Sequence, residues 1–232
     1  MNESADRAGG SSPLDIPLTR SRAFESEHPR VELAEGVRSI LQHSSTSTAA
    51  DEVFARAAQL VSQAAELLAN GPQGRLYDGT AEGAVGGMHQ GFLSHSPVTG
   101  PLNALASRVH LETTEHEVSA TVTYGDAYEG PPGCLHGGFI AAIFDEVLGL
   151  AQALSGSPGM TGRLVVTYRS PTPLNTELRV VGRFDSVEGR KILTSGEIRA
   201  GDRLCAEAVG TFISVRPGTF ISLDANRRRV GD

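Results

Sequence analysis

Gly137-Gly138-Phe139-Ile140-Ala141-Ala142-Ile143-Phe144-Asp145-Glu146-Val147-Leu148-Gly149-Leu150-Ala151-Gln152-Ala153-Leu154 is the stretch on which the fold turns. It spells a helix with apolar side chains on almost every face, so it must be buried on most sides, as if a sheet were curled around it. Gly130-Pro131-Pro132-Gly133 breaks the chain ahead of it, and Gly156-Ser157-Pro158-Gly159 ends it. Asp145 and Glu146 sit in its middle, where isolated charges are costly to desolvate. A local opening or a compensating purpose is required there.

Outward from this helix the period changes from 3.6 to 2. Upstream, Val109 and Leu111, then Val118, Ala120, Val122 and Tyr124, alternate with polar neighbours and predict two strands. Downstream, four more strands centre on Leu164/Val166/Tyr168, Leu178/Val180/Phe184, Ile192/Thr194/Ile198 and Leu204/Ala206/Ala208/Phe212, with turns at Gly189 and Gly201-Asp202. The order β-β-α-β-β-β-β predicts an α+β domain: an antiparallel sheet of about six strands around one central helix.

The flanks divide as follows. Residues 1–48 are rich in Ser, Gly, Pro and charge, and read as a largely disordered or arm-like segment with a weak helical pattern at Val31, Leu33, Val37, Ile40 and Leu41. In residues 49–93, Val53, Phe54, Ala57, Leu60, Val61, Ala64, Leu67 and Leu68 form one apolar stripe, predicting a surface helix packed on the main domain. Thr48 or Asp51 caps its start, Asn70-Gly71-Pro72 stops it, and a long glycine-rich loop without a phosphate-loop pattern follows. The main domain spans 94–216, and 217–232 is a C-terminal tail.

Composition narrows the function. The net charge of −7 argues against general nucleic-acid or anionic-lipid binding. Cys134 and Cys205 are too few for a disulfide framework and lack metal-ligand spacing, and His89, His95, His110 and His116 show no zinc pattern, so no metal or cofactor is expected. No apolar run is long enough to span a bilayer and the N-terminus lacks a signal-peptide core, which makes a cytoplasmic protein the expectation.

Chemistry concentrates on the central helix. The neighbours of Asp145 at i−4, i−3 and i+4 are Ala141, Ala142 and Gly149, a strip of small side chains that leaves room for a substrate beside the carboxylate, or merely an exposed edge. His136-Gly137-Gly138 opens the helix, where unpaired N–H groups and the dipole suit an oxygen gaining negative charge; a plain glycine-rich helix start fits equally. Eight residues separate Gly137 from Asp145, roughly 12 Å along one helix. Two groups acting on one carbonyl must each lie about 3 Å from it. One helix therefore cannot supply both. Two antiparallel copies about a two-fold axis can, and an isologous dimer follows from that mechanism.

His136-Gly137-Gly138, six residues, then Asp145 and Gly149, within this strand order, resembles the hotdog thioesterase superfamily. Glu129-Gly130-Pro131-Pro132-Gly133, Ser96-Pro97-Val98, Asn103 and Leu164-Val165-Val166-Thr167-Tyr168-Arg169-Ser170-Pro171 are similar to its THEM branch and the phenylacetate-pathway type. The resemblance covers about residues 94–216. It implies a hotdog fold that hydrolyses an acyl-CoA, with Asp145 as nucleophile or general base and Gly137 as oxyanion donor. It further implies that Thr161 holds the carboxylate or water and that His136 orients the pocket. Where some relatives carry an Asn shortly before the His, this chain has Gly130.

A polyanionic CoA needs cations, and Arg163, Arg169, Arg183, Arg190 and Lys191, with the Gly138 backbone, are the candidates; solvated strand faces are the plain alternative. A Cys134/His136 nucleophile lacks a third orienting group, and Glu146 points about 100° away from Asp145. Two function classes stand: acyl-CoA hydrolysis by a homodimer or dimer of dimers, and a noncatalytic acyl-CoA or lipid-binding hotdog dimer acting through residues 1–70.

Overall fold

The computed structural model describes residues 28–74, 94–157 and 159–215. The C-terminal tail, the start of the N-terminal arm and most of the glycine-rich loop lie outside these. Helices α1 (Pro29–Thr46) and α2 (Asp51–Ala69) precede strands β1 (Val109–Thr113) and β2 (Glu117–Thr123). A short 3-10 turn (Asp126–Tyr128) leads to the central helix α3 (Gly137–Ala153). Strands β3 (Gly159–Tyr168), β4 (Glu177–Glu188), β5 (Lys191–Ala200) and β6 (Arg203–Ser214) complete the domain.

All six strands form one antiparallel sheet in the order β1-β2-β4-β5-β6-β3, as the alternation predicted. The sheet wraps α3, whose Ile143, Phe144, Val147 and Leu148 are wholly buried against Val118, Val122, Leu178, Val180, Ile192, Ile198 and Phe212. Each such side chain contributes about 1.5–3 kcal/mol by leaving water. Two glycines let the helix come this close. A Cβ at Gly182 would stand 2.9 Å from Val147 Cγ1, and one at Gly196 3.0 Å from Leu148 Cδ2. These two residues face each other across β4 and β5, so the sheet is hollowed where the helix lies.

Among the described residues β3 is an edge strand, paired only with β6. Its register shifts between Thr161 and Arg163. Thr161 lies opposite Phe212 on the helix side, and Arg163 opposite Thr211 on the outer side. The extra residue, Gly162, reverses the alternation and throws Arg163 onto the face away from the helix.

The flanking helices differ from expectation. Residues 29–46, where a weak helical pattern was read within a largely disordered arm, form a full helix, and it is docked. Val31 and Ala34 are buried, and Arg38 donates to the carbonyls of Asn103, Ala106 and Pro101 at 2.8, 3.3 and 3.2 Å. The apolar pattern there is weak because polar groups hold the helix. The stripe of α2 was expected to pack on the main domain and does not. No α2 residue is buried, and Val53, Phe54, Leu60, Val61, Leu67 and Leu68 are all exposed, Leu67 at 77%. The helix starts from Ala50, with no side-chain cap from Thr48 or Asp51. No described helix is long and apolar enough to cross a membrane.

Candidate active site

The middle of α3 presents Asp145 on its exposed side, next to the half-buried Ala141, Ala142 and Gly149. Thr161 Oγ1 donates to Asp145 Oδ1 at 2.8 Å. The bulge at Gly162 makes this bond: without the extra residue Thr161 would share a face with Arg163. A hydroxyl that donates to one carboxylate oxygen fixes the rotamer and leaves the second oxygen for a substrate or water.

Glu146 turns to another element. Thr99, buried in the loop before β1, donates to Glu146 Oε1 at 2.7 Å. This carboxylate ties the 94–108 loop to the helix and does not share the Asp145 environment.

The start of α3 is built by side chains on both sides of its glycines. His136 is the N-cap, and its Nδ1 accepts from the Gly138 N–H at 3.0 Å. That bond spends the Gly138 N–H, which was a candidate for ligand contact. Among the described residues the Gly137 N–H has no hydrogen-bond acceptor. Tyr168, which the sequence reading took for a plain strand residue, donates its hydroxyl to the Gly137 carbonyl at 3.1 Å. Its place at the end of an alternating strand carried no signal of this.

Beneath this end, Tyr124, Tyr128 and Phe139 pack edge-on, with ring centroids 5.1 Å apart for Tyr124–Tyr128 and 4.8 Å for Tyr128–Phe139. Desolvation, then the neighbouring Tyr128, pushes the buried Tyr124 phenol well up, so it stays protonated. Gly130 packs its backbone on His136: a Cβ there would lie 2.7 Å from His136 Cα. A side chain at position 130 therefore has no space without a shift.

The cationic candidates scatter. Arg163 and Lys191 line one shallow depression of about 360 Å³ on the outer face, with Gly162, Glu188, Leu193 and Ile213. Arg169 pairs with Glu207 at 2.5 Å, Arg183 with Glu117 at 3.3 Å, and Arg190 donates to the Ser214 carbonyl at 3.1 Å. Cys134 is half-buried and its Sγ donates to the Pro132 carbonyl at 3.5 Å. His110 stands beside Glu112, and desolvation followed by the Arg30 charge lowers the His95 pKa.

A six-stranded antiparallel sheet around a buried helix, with a hydroxyl-held carboxylate on that helix, defines a class, and the comparisons place the chain in it. The thioesterase superfamily family model matches residues 132–207. The crystal structure of a thioesterase superfamily protein is 36% identical, with 79% of this chain aligned to 94% of that one at a TM-score of 0.69. The chain belongs to the thioesterase superfamily and has its hotdog fold. Among curated relatives, acyl-coenzyme A thioesterase THEM4 of Xenopus laevis is 38% identical over 95 residues, 40% of this chain and 43% of that one. THEM4 of Bos taurus is 36% identical over 95 residues, 40% of this chain and 39% of that one. The matched segment spans about two fifths of those relatives' lengths.

Proposed function

We propose that this protein hydrolyses an acyl-CoA thioester to a free carboxylic acid and CoA, with Asp145 at the reacting carbonyl. The observation that carries the reading is the Thr161–Asp145 hydrogen bond on the central helix of a thioesterase-superfamily domain. The likeness to the acyl-coenzyme A thioesterases of frog and cattle supports the substrate class.

The site is completed by a second copy. Asp145 and Gly137 are about 12 Å apart on one helix, too far to meet at one carbonyl. β3 offers the means of pairing: it is ten residues long, unpaired on its outer edge among the described residues, and carries exposed Met160, Val165 and Tyr168. Such an edge invites another strand. Antiparallel pairing of two β3 strands about Val165, with Gly162 bulged out of register, sets Thr161 of one beside Tyr168 of the other. Each site then takes Asp145 and Thr161 from one chain, and Gly137, His136 and Tyr168 from its mate.

In the general-base form, Asp145 takes a proton from water as the hydroxide adds to the thioester carbonyl. The resulting oxyanion rests on the Gly137 N–H of the second copy. Collapse breaks the C–S bond, and the Asp145 carboxylic acid returns the proton to the CoA thiolate. In the nucleophilic form, the carboxylate adds to the carbonyl and expels CoA thiolate to leave a mixed anhydride; water then cleaves the anhydride to the free acid and the Asp145 carboxylate, and its proton passes to the thiolate. Arg163 and Lys191, which share a depression, are the strongest of the phosphate candidates; Arg169 and Arg190 are already partnered.

An acyl-CoA panel with a thiol reagent tests the reading. The expected result is turnover of at least one member and a loss on the order of 10²–10⁴ in Asp145→Asn. Saturable acyl-CoA binding without thiol release would favour the noncatalytic binding module instead.

A further inference from the structure

The peptide unit joining Gly137 to Gly138 is held at both ends by side chains. Its carbonyl accepts from Tyr168 Oη at 3.1 Å, and its N–H donates to His136 Nδ1 at 3.0 Å. The two residues flanking it are glycines, the pair with the widest conformational freedom. Both glycines sit tight against the clamp: a Cβ on Gly137 would stand 3.1 Å from the Tyr168 hydroxyl, and one on Gly138 3.1 Å from His136 Nδ1, so either side chain would have to give by a few tenths of an ångström. The sequence thus places its loosest backbone where the proposed mechanism needs its most fixed donor, and two side chains remove the looseness.

We propose that Tyr168 is a positioning residue that aims the Gly137 N–H at the reacting carbonyl, by holding the Gly137 carbonyl from β3. The inference rests on the composite site described above. Fixing the Gly137–Gly138 plane from outside the helix limits rotation at the Gly137 Cα. The preceding N–H, which has no acceptor of its own among the described residues, is then left aimed outward. Tyr168 is well suited to this. It lies on the helix side of an edge strand, opposite the small Ala206, and it is 55% exposed, so no packing competes with its bond to the Gly137 carbonyl. Its oxygen touches the backbone rather than the carbonyl being cleaved, which separates its role from that of Asp145.

Three measurements on the full chain test this with Tyr168→Phe, which keeps the ring and removes the hydroxyl. Amide exchange is read first because it does not depend on turnover. Gly138 and Phe139, whose N–H groups are bonded to His136, should exchange severalfold faster in Tyr168→Phe while the rest of α3 is unchanged. In steady state, kcat should fall roughly 3- to 10-fold, the effect of one net hydrogen bond, with KM within about twofold. Finally, Tyr168→Phe and Asp145→Asn subunits are mixed and allowed to exchange. If Tyr168 serves the half-site of Gly137, each heterodimer has one intact site and one carrying both defects, and about half of wild-type activity returns. If Tyr168 instead serves its own chain's Asp145, one site is dead and the other impaired, and only about a tenth returns. Unchanged exchange overturns the proposal whatever the kinetics. Faster exchange in a protein that turns over no acyl-CoA keeps the clamp and removes the hydrolase reading.

Discussion

Helices α1 and α2 flank the same domain and invert what their sequences advertise. α2 has the clean apolar stripe and is exposed along its whole length. α1 has a poor stripe and is docked. The difference lies in polar chemistry. Arg38 reaches three carbonyls of the 94–108 loop, Glu35 pairs with Arg108 at 2.8 Å, and Gln42 donates to Asp126 beside the 3-10 turn. Carbonyls in an irregular loop have no strand partners, and an arginine fork satisfies several at once. A stripe, by contrast, says only that a helix has a face to cover. It does not say where the cover comes from.

The contrast reaches the site. The loop that α1 holds also carries Thr99, whose hydroxyl bonds Glu146 next to Asp145. Removing residues 1–48 is therefore expected to have the largest effect in this part of the molecule. Loss of the buried Val31 and Ala34 and of the Arg38 bonds should cost on the order of 3–5 kcal/mol. For a domain of this size that is a fall in Tm of roughly 6–20 °C. Circular dichroism melts of the truncated chain check it, and an unchanged Tm would mean that α1 is an ornament. Arg38→Ala comes next. It strands three loop carbonyls and should cost about 1.5–3 kcal/mol, with a loss of activity that recovers when temperature is lowered.

The sequence told much about α3 and little about its flanks, for physical reasons. A helix apolar on every side admits one environment, so Ile143, Phe144, Val147 and Leu148 announced a wrapped helix, and the period-2 runs announced the strands around it. The carboxylate was legible because a charge at position 145 conflicts with that burial. The Thr161 bond was suggested only by the family resemblance, since strand alternation alone puts residue 161 on the wrong face; the bulge that corrects it is hinted at by Gly162. Tyr168 was invisible as a partner of Gly137, because their 31-residue separation is closed only by the fold. Arg38 read as an ordinary surface charge, since its partners are main-chain atoms that leave no mark on a sequence.

Acid should loosen α1 while sparing the sheet. Desolvation raises the Glu35 pKa, but hydrogen bonds and charges from Arg108 and Arg38 outweigh it and leave the group below its ordinary 4.5. Asp126 is lowered from 3.8 by its bonds to Asn175 and Gln42. With folded pKa values depressed, the stabilisation is present above the unfolded values and is lost as pH falls through the folded ones. The Tm gap between wild type and Glu35→Gln should therefore be open at pH 6 and narrow as pH falls below the ordinary 4.5. Glu35 is partly solvated, so the gap should correspond to under about 1 kcal/mol. A gap that does not narrow at all under acid would show that Glu35 acts through its shape and not its charge.

The smallest effect is expected where the stripe is strongest. Leu60 and Leu67 of α2 touch no core, so Leu60→Ser and Leu67→Ser remove no packing within the single chain. Surface changes of this kind alter stability by about 0.5 kcal/mol or less. Serine is a poorer helix former than leucine, and that alone accounts for a few tenths of that amount in each case. The main domain should melt at the wild-type temperature when the protein is dilute. Arg38→Ala supplies the scale, because it breaks bonds on a helix that looks less apolar yet is docked. If the two leucine variants instead lower Tm as far as Arg38→Ala does, and the loss grows with protein concentration, the stripe is covered by another chain. A loss of that size independent of concentration would mean that α2 packs on its own domain, and the contrast between the two helices would fail.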